Sequence, residues 1–232
     1  AAVVDAIEAP RLAAHHGVLA TALEAADAPA RTLVTHFAEA GEHVRAAHHA
    51  RRAGDEAAAV LAFQEAAELY GRALAWDPQA SRAVTRATAA KRAGALVNLG
   101  RCKEGAGIYA ELADGATDPE EALDLELRAA LGYFTCAAMA EGDPMLRRAT
   151  RRVGISVPRS SAMISASVFA RLGKIWLRSN AFEERPPESI PAHVARRIEV
   201  CSALGHSLTM PDLMRGLYFY LDAYELAVKA GD

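Results

Sequence analysis

Residues Ala47 to Pro78 read AHHARRAGDEAAAVLAFQEAAELYGRALAWDP. Alanine dominates this stretch, with leucine and arginine interspersed, a mixture of high helix propensity. Pro78 closes it, because proline offers no N–H to continue a helix and its ring clashes with the preceding turn. The rest of the chain has the same character. It is 232 residues long, 52% hydrophobic and only 6% aromatic. Residues that favour strands never gather into an alternating run, so an all-α chain is expected. The length is enough for one large or two small domains with a substantial core. A formal charge of -3 and a pI near 6.3 give no general attraction to nucleic acid or to anionic lipid.

The Ala47–Pro78 segment resembles one tetratricopeptide (TPR) repeat, a pair of antiparallel helices of about 34 residues. Gly54 stands where the first helix of that repeat needs a small residue. Ala66, Tyr70 and Ala73 stand at the small, large and small positions of the second, and Leu74, Asp77 and Pro78 supply its ending. The resemblance implies a TPR-like α-solenoid of antiparallel helix hairpins, an interaction scaffold and not a reaction centre. The expectation is a single domain over 1–232 with about eleven helices. Residues 47–80 are its best-matching unit, and 159–232 form looser C-terminal helices.

Helix signals recur along the chain. Pro10 opens a first helix carrying Leu12, Leu19 and Leu23 on one face, and Asp27-Ala28-Pro29 breaks it. A second helix with Leu33, Val34 and Phe37 ends at Gly41. A third pair begins near Gln79 and turns at Asn98-Leu99-Gly100-Arg101. A fourth starts at Asp118-Pro119-Glu120-Glu121, with an aspartate N-cap, a first-turn proline and acids beside the positive helix end. It is expected to turn at Glu141-Gly142-Asp143-Pro144. Turns at Leu61, Gly100 and Gly142 would be 39 and 42 residues apart, a longer period than that of a standard TPR. After Val157-Pro158, Ser160 or Ser161 caps a helix expected to reach Arg178. Residues 179–191 read as a loop, followed by helices near 192–205 and 211–230. The opening AAVVDAIEAP lacks the basic start of a signal peptide, and both ends read as those of a fragment of a longer polypeptide.

A second resemblance rests on RRIEVCSALGHSLTMPDLMRGLYFYLDAYELAVKAGD, Arg196 to Asp232, and on HHGVLATALEA near the start. These look like the helical region of large bacterial signalling proteins that fuse a serine/threonine kinase, an AAA or STAND-type ATPase and TPR-like repeats. Arg197, Glu199, Cys201, Asp212, Arg215, Gly216, Phe219 and Gly231 carry it. The resemblance implies kinase and ATPase modules N-terminal to Ala1 and a cytoplasmic, regulatory role for this chain. The alternative is the effector- or partner-binding module of an ATPase-type transcription regulator.

The chain itself carries no catalytic motif. The Gly173-Lys174 pair has Val168 where a phosphate loop needs its first glycine and Ile175 where it needs Ser or Thr. No two of the eight histidines are three or four apart, the spacing that places ligands on one helical face. Cys102, Cys136 and Cys201 are far apart and read as reduced thiols. The serines from Ser160 to Ser167 lack a nucleophile elbow. Glu120-Glu121 and Glu183-Glu184 are ordinary charges at a helix start and in a loop. Arg147, Arg148, Arg151 and Arg152 read as a solvated basic face, with Arg147-Arg148-Ala149-Thr150 also matching a basophilic kinase site. The expectation is no enzyme activity, no cofactor, no metal, no nucleic acid and no membrane partner.

The TPR alignment implies one candidate surface. Counted from Pro78, the positions that face the concave side of such a repeat are His48, Arg51, Asp55, Ala58 and Ala59, and the next pair adds Asn98. His48, Arg51, Asp55 and Asn98 are therefore the expected partner-binding groove. It would take a protein or peptide, or other domains of the parent chain. Arg51 suits a partner carboxylate and Asn98 a backbone group. Asp55 stands where the carboxylate-clamp pattern has asparagine and would repel an acidic tail, so no clamp of that type is expected.

Overall fold

The computed structural model describes residues 9–177, 186 and 190–231. These contain eleven helices and no strand: α1 Ala9–Ala25, α2 Ala30–Glu39, α3 His43–Ala59, α4 Phe63–Trp76, α5 Arg82–Asn98, α6 Cys102–Asp114, α7 Pro119–Thr135, α8 Met139–Arg152, α9 Ser161–Leu177, α10 Ala192–Leu208 and α11 Leu213–Ala230. They pack as antiparallel hairpins, the building block of an α-solenoid. The chain divides into two compact units, 1–108 and 109–232, where the sequence reads as one continuous domain. Residue Arg178, most of the 179–191 loop, the Glu183-Glu184 pair, residues 1–8 and Asp232 lie outside the described residues.

Several helix starts follow directly from local sequence. The carboxylate of Asp118 accepts the Glu121 N–H at 2.8 Å, with Pro119 at the first helical position. Ser81 caps α5, Ser160 accepts the Met163 N–H at 3.3 Å, and Asp212 caps α11 through the Arg215 N–H at 3.1 Å. Each cap satisfies one of the donors that a helix N-terminus leaves orphaned.

The turns that follow α1, α3, α5 and α7 share one geometry, unlike the turn between α10 and α11, which has no left-handed residue. In α3 the N–H of Leu61 donates to the Ala58 carbonyl and that of Ala62 to Ala57. The same pair of bonds closes α1 at Asp27, α5 at Gly100 and α7 at Ala137. This is the Schellman arrangement, which turns the chain through one left-handed residue. Those residues have φ of 51° at Asp27, 61° at Leu61, 88° at Gly100 and 55° at Ala137. They are 34, 39 and 37 residues apart. The expected turn at Gly142 is therefore corrected: the chain turns at Cys136–Ala138, and Gly142 lies inside α8. Its lack of a side chain serves packing instead of a turn, because a Cβ there would run into the Phe134 ring on α7.

Unit 1 is closed by small residues. A Cβ on Gly54 would lie 2.7 Å from the Tyr70 ring, so only glycine lets that ring lie flat against α3. Tyr70 is 2% exposed, in a core with Ala50, Ala53, Ala66, Ala73 and Leu96. Small side chains bring the helix axes close, and the few large ones fill the seams. Unit 2 places α7–α8, α9 and α10–α11 around Phe134, Leu146, Val168, Val200, Leu204 and Phe219. Gly205 repeats the device, its missing Cβ making room for the Tyr220 ring. The Arg215 guanidinium on α11 holds Asp143 on α8, and the Tyr218 hydroxyl donates to the Ser156 carbonyl at 2.8 Å.

Two expectations follow for stability. Tyr70→Ala empties the seam between α3, α4 and α5 and is expected to cost about 3–5 kcal/mol, in line with other large aromatic truncations; denaturant unfolding reads this directly. Leu61→Gly and Ala137→Gly act in the opposite sense. Both side chains are exposed and both backbones are left-handed, a conformation that costs about 1–2 kcal/mol for a residue with a Cβ. Glycine returns part of that gain as unfolded-state entropy. Each substitution is therefore expected to raise stability by up to about 1 kcal/mol, measurable as a higher unfolding midpoint.

Candidate interaction surface

His48, Arg51 and Asp55 follow one another at spacings of three and four and share a face of α3. The structure adds what lies beside that face. The Lys91 ammonium on α5 donates to both oxygens of Asp55, at 2.7 and 2.8 Å. The helices α3 and α5 therefore run side by side, with α4 behind them supplying the Tyr70 hydroxyl, which donates to Asp55 at 2.7 Å. Asn98 lies seven residues beyond Lys91, close to two full turns, and so shares its face of α5. His48 and Asn98 are both exposed.

The four expected residues do not form a cluster. They are strung along two parallel helices with the Asp55–Lys91 pair in the middle. At about 1.5 Å of rise per residue, His48 and Asn98 lie roughly 20 Å apart along the axes. That span suits about six residues of extended peptide.

The charges on this face are largely committed. The Arg51 guanidinium donates to Asp77 at 2.9 Å, and both side chains are mostly covered. Asp77 follows the last turn of α4, so this pair ties the open end of the hairpin. Burial alone would raise the Asp55 pKa, but the Lys91 and Tyr70 hydrogen bonds outweigh it and hold the carboxyl below its ordinary value. The Tyr70 hydroxyl shifts the other way, raised by burial and by the adjacent Asp55, and stays protonated. Partial desolvation, together with His49, Arg51 and Arg52, lowers the His48 pKa, so its imidazole is neutral at neutral pH. A second link of the same kind joins α1 to α3. Glu24 accepts from His49 at 2.8 Å and from Arg45, and these two bonds, His49 first, lower its pKa.

Lys91, Glu24 and the Tyr70 hydroxyl were not among the expected site residues. Their partners lie 15 to 36 residues away in sequence, and no local pattern marks them. The one available signal was that Lys91 stands seven residues before Asn98, on the same helical face.

The other candidates fall into place more simply. Thr150 is 2% exposed and its hydroxyl donates to the Leu146 carbonyl at 2.8 Å, so the kinase-like Arg147–Thr150 sequence offers no accessible acceptor in this fold. Cys102 and Cys201 are buried free thiols, and burial followed by the charge of Asp222 pushes the Cys201 thiol far above its ordinary pKa. Among the described residues no three His, Cys, Asp or Glu side chains gather as a metal ion would need. None of the described helices is long and apolar enough to cross a membrane. Compared with protein-family models and with curated proteins, the chain matches none.

The pH dependence of Asp55 has a definite sign. Its folded pKa is depressed, so its contribution to stability is fully present above the unfolded carboxylate pKa and is lost as pH falls through the folded value. Asp55→Asn is expected to flatten that part of the acid limb of an unfolding-midpoint profile. An acid limb identical to wild type would remove Asp55 from the network. Tyr70→Phe keeps the ring and deletes one hydrogen bond to a charged acceptor, with an expected cost of about 1.5–3 kcal/mol.

Proposed function

We propose that this chain is a non-catalytic protein–protein interaction module, a regulatory scaffold that lays an extended segment of a partner, or of another domain of its own parent chain, along α3 and α5. The observation that carries this reading is the Asp55–Lys91 bridge, which sets two helices side by side and leaves His48 and Asn98 exposed at either end. Helical hairpins of small residues build such surfaces cheaply, because neighbouring helices come close enough for one peptide to touch both. The TPR resemblance of Ala47–Pro78 supports the same face. The resemblance of Arg196–Asp232 supports a parent of the kinase and ATPase signalling type, with a cytoplasmic setting.

The tested residues must be those that do not hold the fold. Arg51→Glu is unsuitable, since it would set a carboxylate against Asp77 within the hairpin. His48→Ala with Asn98→Ala removes two exposed side chains and is expected to change stability by less than about 0.5 kcal/mol. Partners captured on the wild-type chain would be identified by mass spectrometry and their affinity measured for both forms. A five-fold or greater loss with an unchanged melting curve is the expected result. Equal affinity for every partner would reject the α3–α5 surface, and nucleotide hydrolysis by the purified chain would reject the scaffold reading.

A further inference from the structure

Four arginines close α8, and the helix sorts them into two pairs. Arg148 and Arg152, four apart, turn toward α7, where Glu126 is fully buried. Its carboxylate accepts from Arg148 Nε at 2.8 Å and from Arg152 Nε at 2.7 Å, and Arg148 also holds Asp114 at 2.6 Å. Arg147 and Arg151, also four apart, lie about 100° round the helix from that pair. They line a hollow of about 370 Å³ together with Arg159.

No acidic side chain lines this hollow, and among the described residues none of its three arginines has an ion pair. The first arginine pair thus has its counter-charges and the second has none. A sphere of this volume is roughly 9 Å across, close to the Debye length of about 8 Å at physiological ionic strength, so mutual repulsion across it is only partly screened. The floor is shaped by the end of α8. Gly154, at φ 70°, and Ile155 return their N–H groups to the Arg151 and Thr150 carbonyls at 3.1 and 2.8 Å. Those two carbonyls, which would repel an anion, are therefore already occupied. What remains of the negative helix end, about half a charge, is small against three guanidinium charges. Ser156 is exposed on the rim, and its carbonyl is pinned from behind by Tyr218.

The geometry points to an oxyanion site here that takes a phosphate monoester. A carboxylate satisfies one guanidinium fork, whereas a phosphate monoester brings close to two negative charges and three terminal oxygens, enough to engage more than one fork. The ester is carried either by a phosphorylated side chain of a protein partner or by a small phosphorylated molecule. The site lies in residues 147–159 of the second unit and does not depend on the α3–α5 reading, which concerns the first.

The test uses O-phosphoserine, inorganic phosphate, glutamate and a degenerate phosphoserine peptide mixture, each titrated into the intact chain and followed by the amide resonances of Gly154, Ile155 and Ser156. Saturable binding of O-phosphoserine at least ten-fold tighter than glutamate is expected. Arg147→Gln with Arg151→Gln should reduce it ten-fold or more at an unchanged circular dichroism melting curve. Arg159→Gln, which lies outside any helix, should weaken it with no risk to the fold, and Arg52→Gln on α3 should leave it unchanged. Tighter binding of the peptide mixture than of O-phosphoserine assigns the ester to a protein partner, and equal binding assigns it to a small molecule; either supports the site. Absence of binding, equal binding of glutamate, or binding indifferent to Arg147, Arg151 and Arg159 overturns it. Retention of an oligonucleotide without any binding of O-phosphoserine overturns it as well.

Discussion

An aromatic ring lying on a glycine is the contact on which three of the helical hairpins depend. It occurs between Gly54 and Tyr70, between Gly142 and Phe134, and between Gly205 and Tyr220, each time joining the two helices of one hairpin. The chain is poor in aromatic residues and rich in alanine, so few side chains are large enough to hold two helices in register. A ring supplies the buried area, and the missing Cβ lets it approach without displacing the backbone. The left-handed residues at the turns then need only reverse the chain. This explains why Leu61 and Ala137 are tolerated at positions where glycine would be less strained. Packing along the hairpin outweighs a local cost of about 1–2 kcal/mol.

Between hairpins, polar bonds supplement the apolar cluster that runs from Val34 on α2 through Ala50 and Tyr70 to Leu96 on α5. In the first unit, Glu24 with Arg45 and His49 joins α1 to α3, Asp55 with Lys91 joins α3 to α5, and Arg31 with Glu65 joins α2 to α4. Exposed pairs of this kind add little stability singly. Their effect is on register: they fix which turn of one helix lies beside which turn of the next. The α3–α5 surface exists because of that alignment. It also explains why most charges on the surface are already committed, leaving His48 and Asn98 as its free polar groups. In the second unit the same economy produces the opposite result. Glu126 and Asp114 engage two arginines of α8 and leave the other two, with Arg159, around a hollow that contains no acid.

The helices and most of their ends were legible in the sequence. Asp118-Pro119 acts as the cap its residue types require, and Gly41 and Gly100 adopt the positive φ that glycine allows. The misplaced turn at Gly142 has a specific cause. Glu-Gly-Asp-Pro is a strong turn signal, but the glycine was needed against Phe134, and α8 carries Pro144 inside it at the loss of one backbone hydrogen bond. The turn went instead to Cys136-Ala137-Ala138, which contains no turn-forming residue at all. A local signal was overridden by packing across the hairpin.

The sequence by itself determined the all-helical class, the hairpin organisation, the face of α3 that carries His48, Arg51 and Asp55, and the Gly54–Tyr70 contact. All of these depend on residues within one helix or one hairpin, where spacing translates directly into position. The tertiary structure decided which charges pair. Asp55 found Lys91, Arg51 was drawn to Asp77, and α8 was split into paired and unpaired arginines by a glutamate more than twenty residues away. Long side chains choose among several partners at similar cost, and only the packing of the helices places one partner within reach.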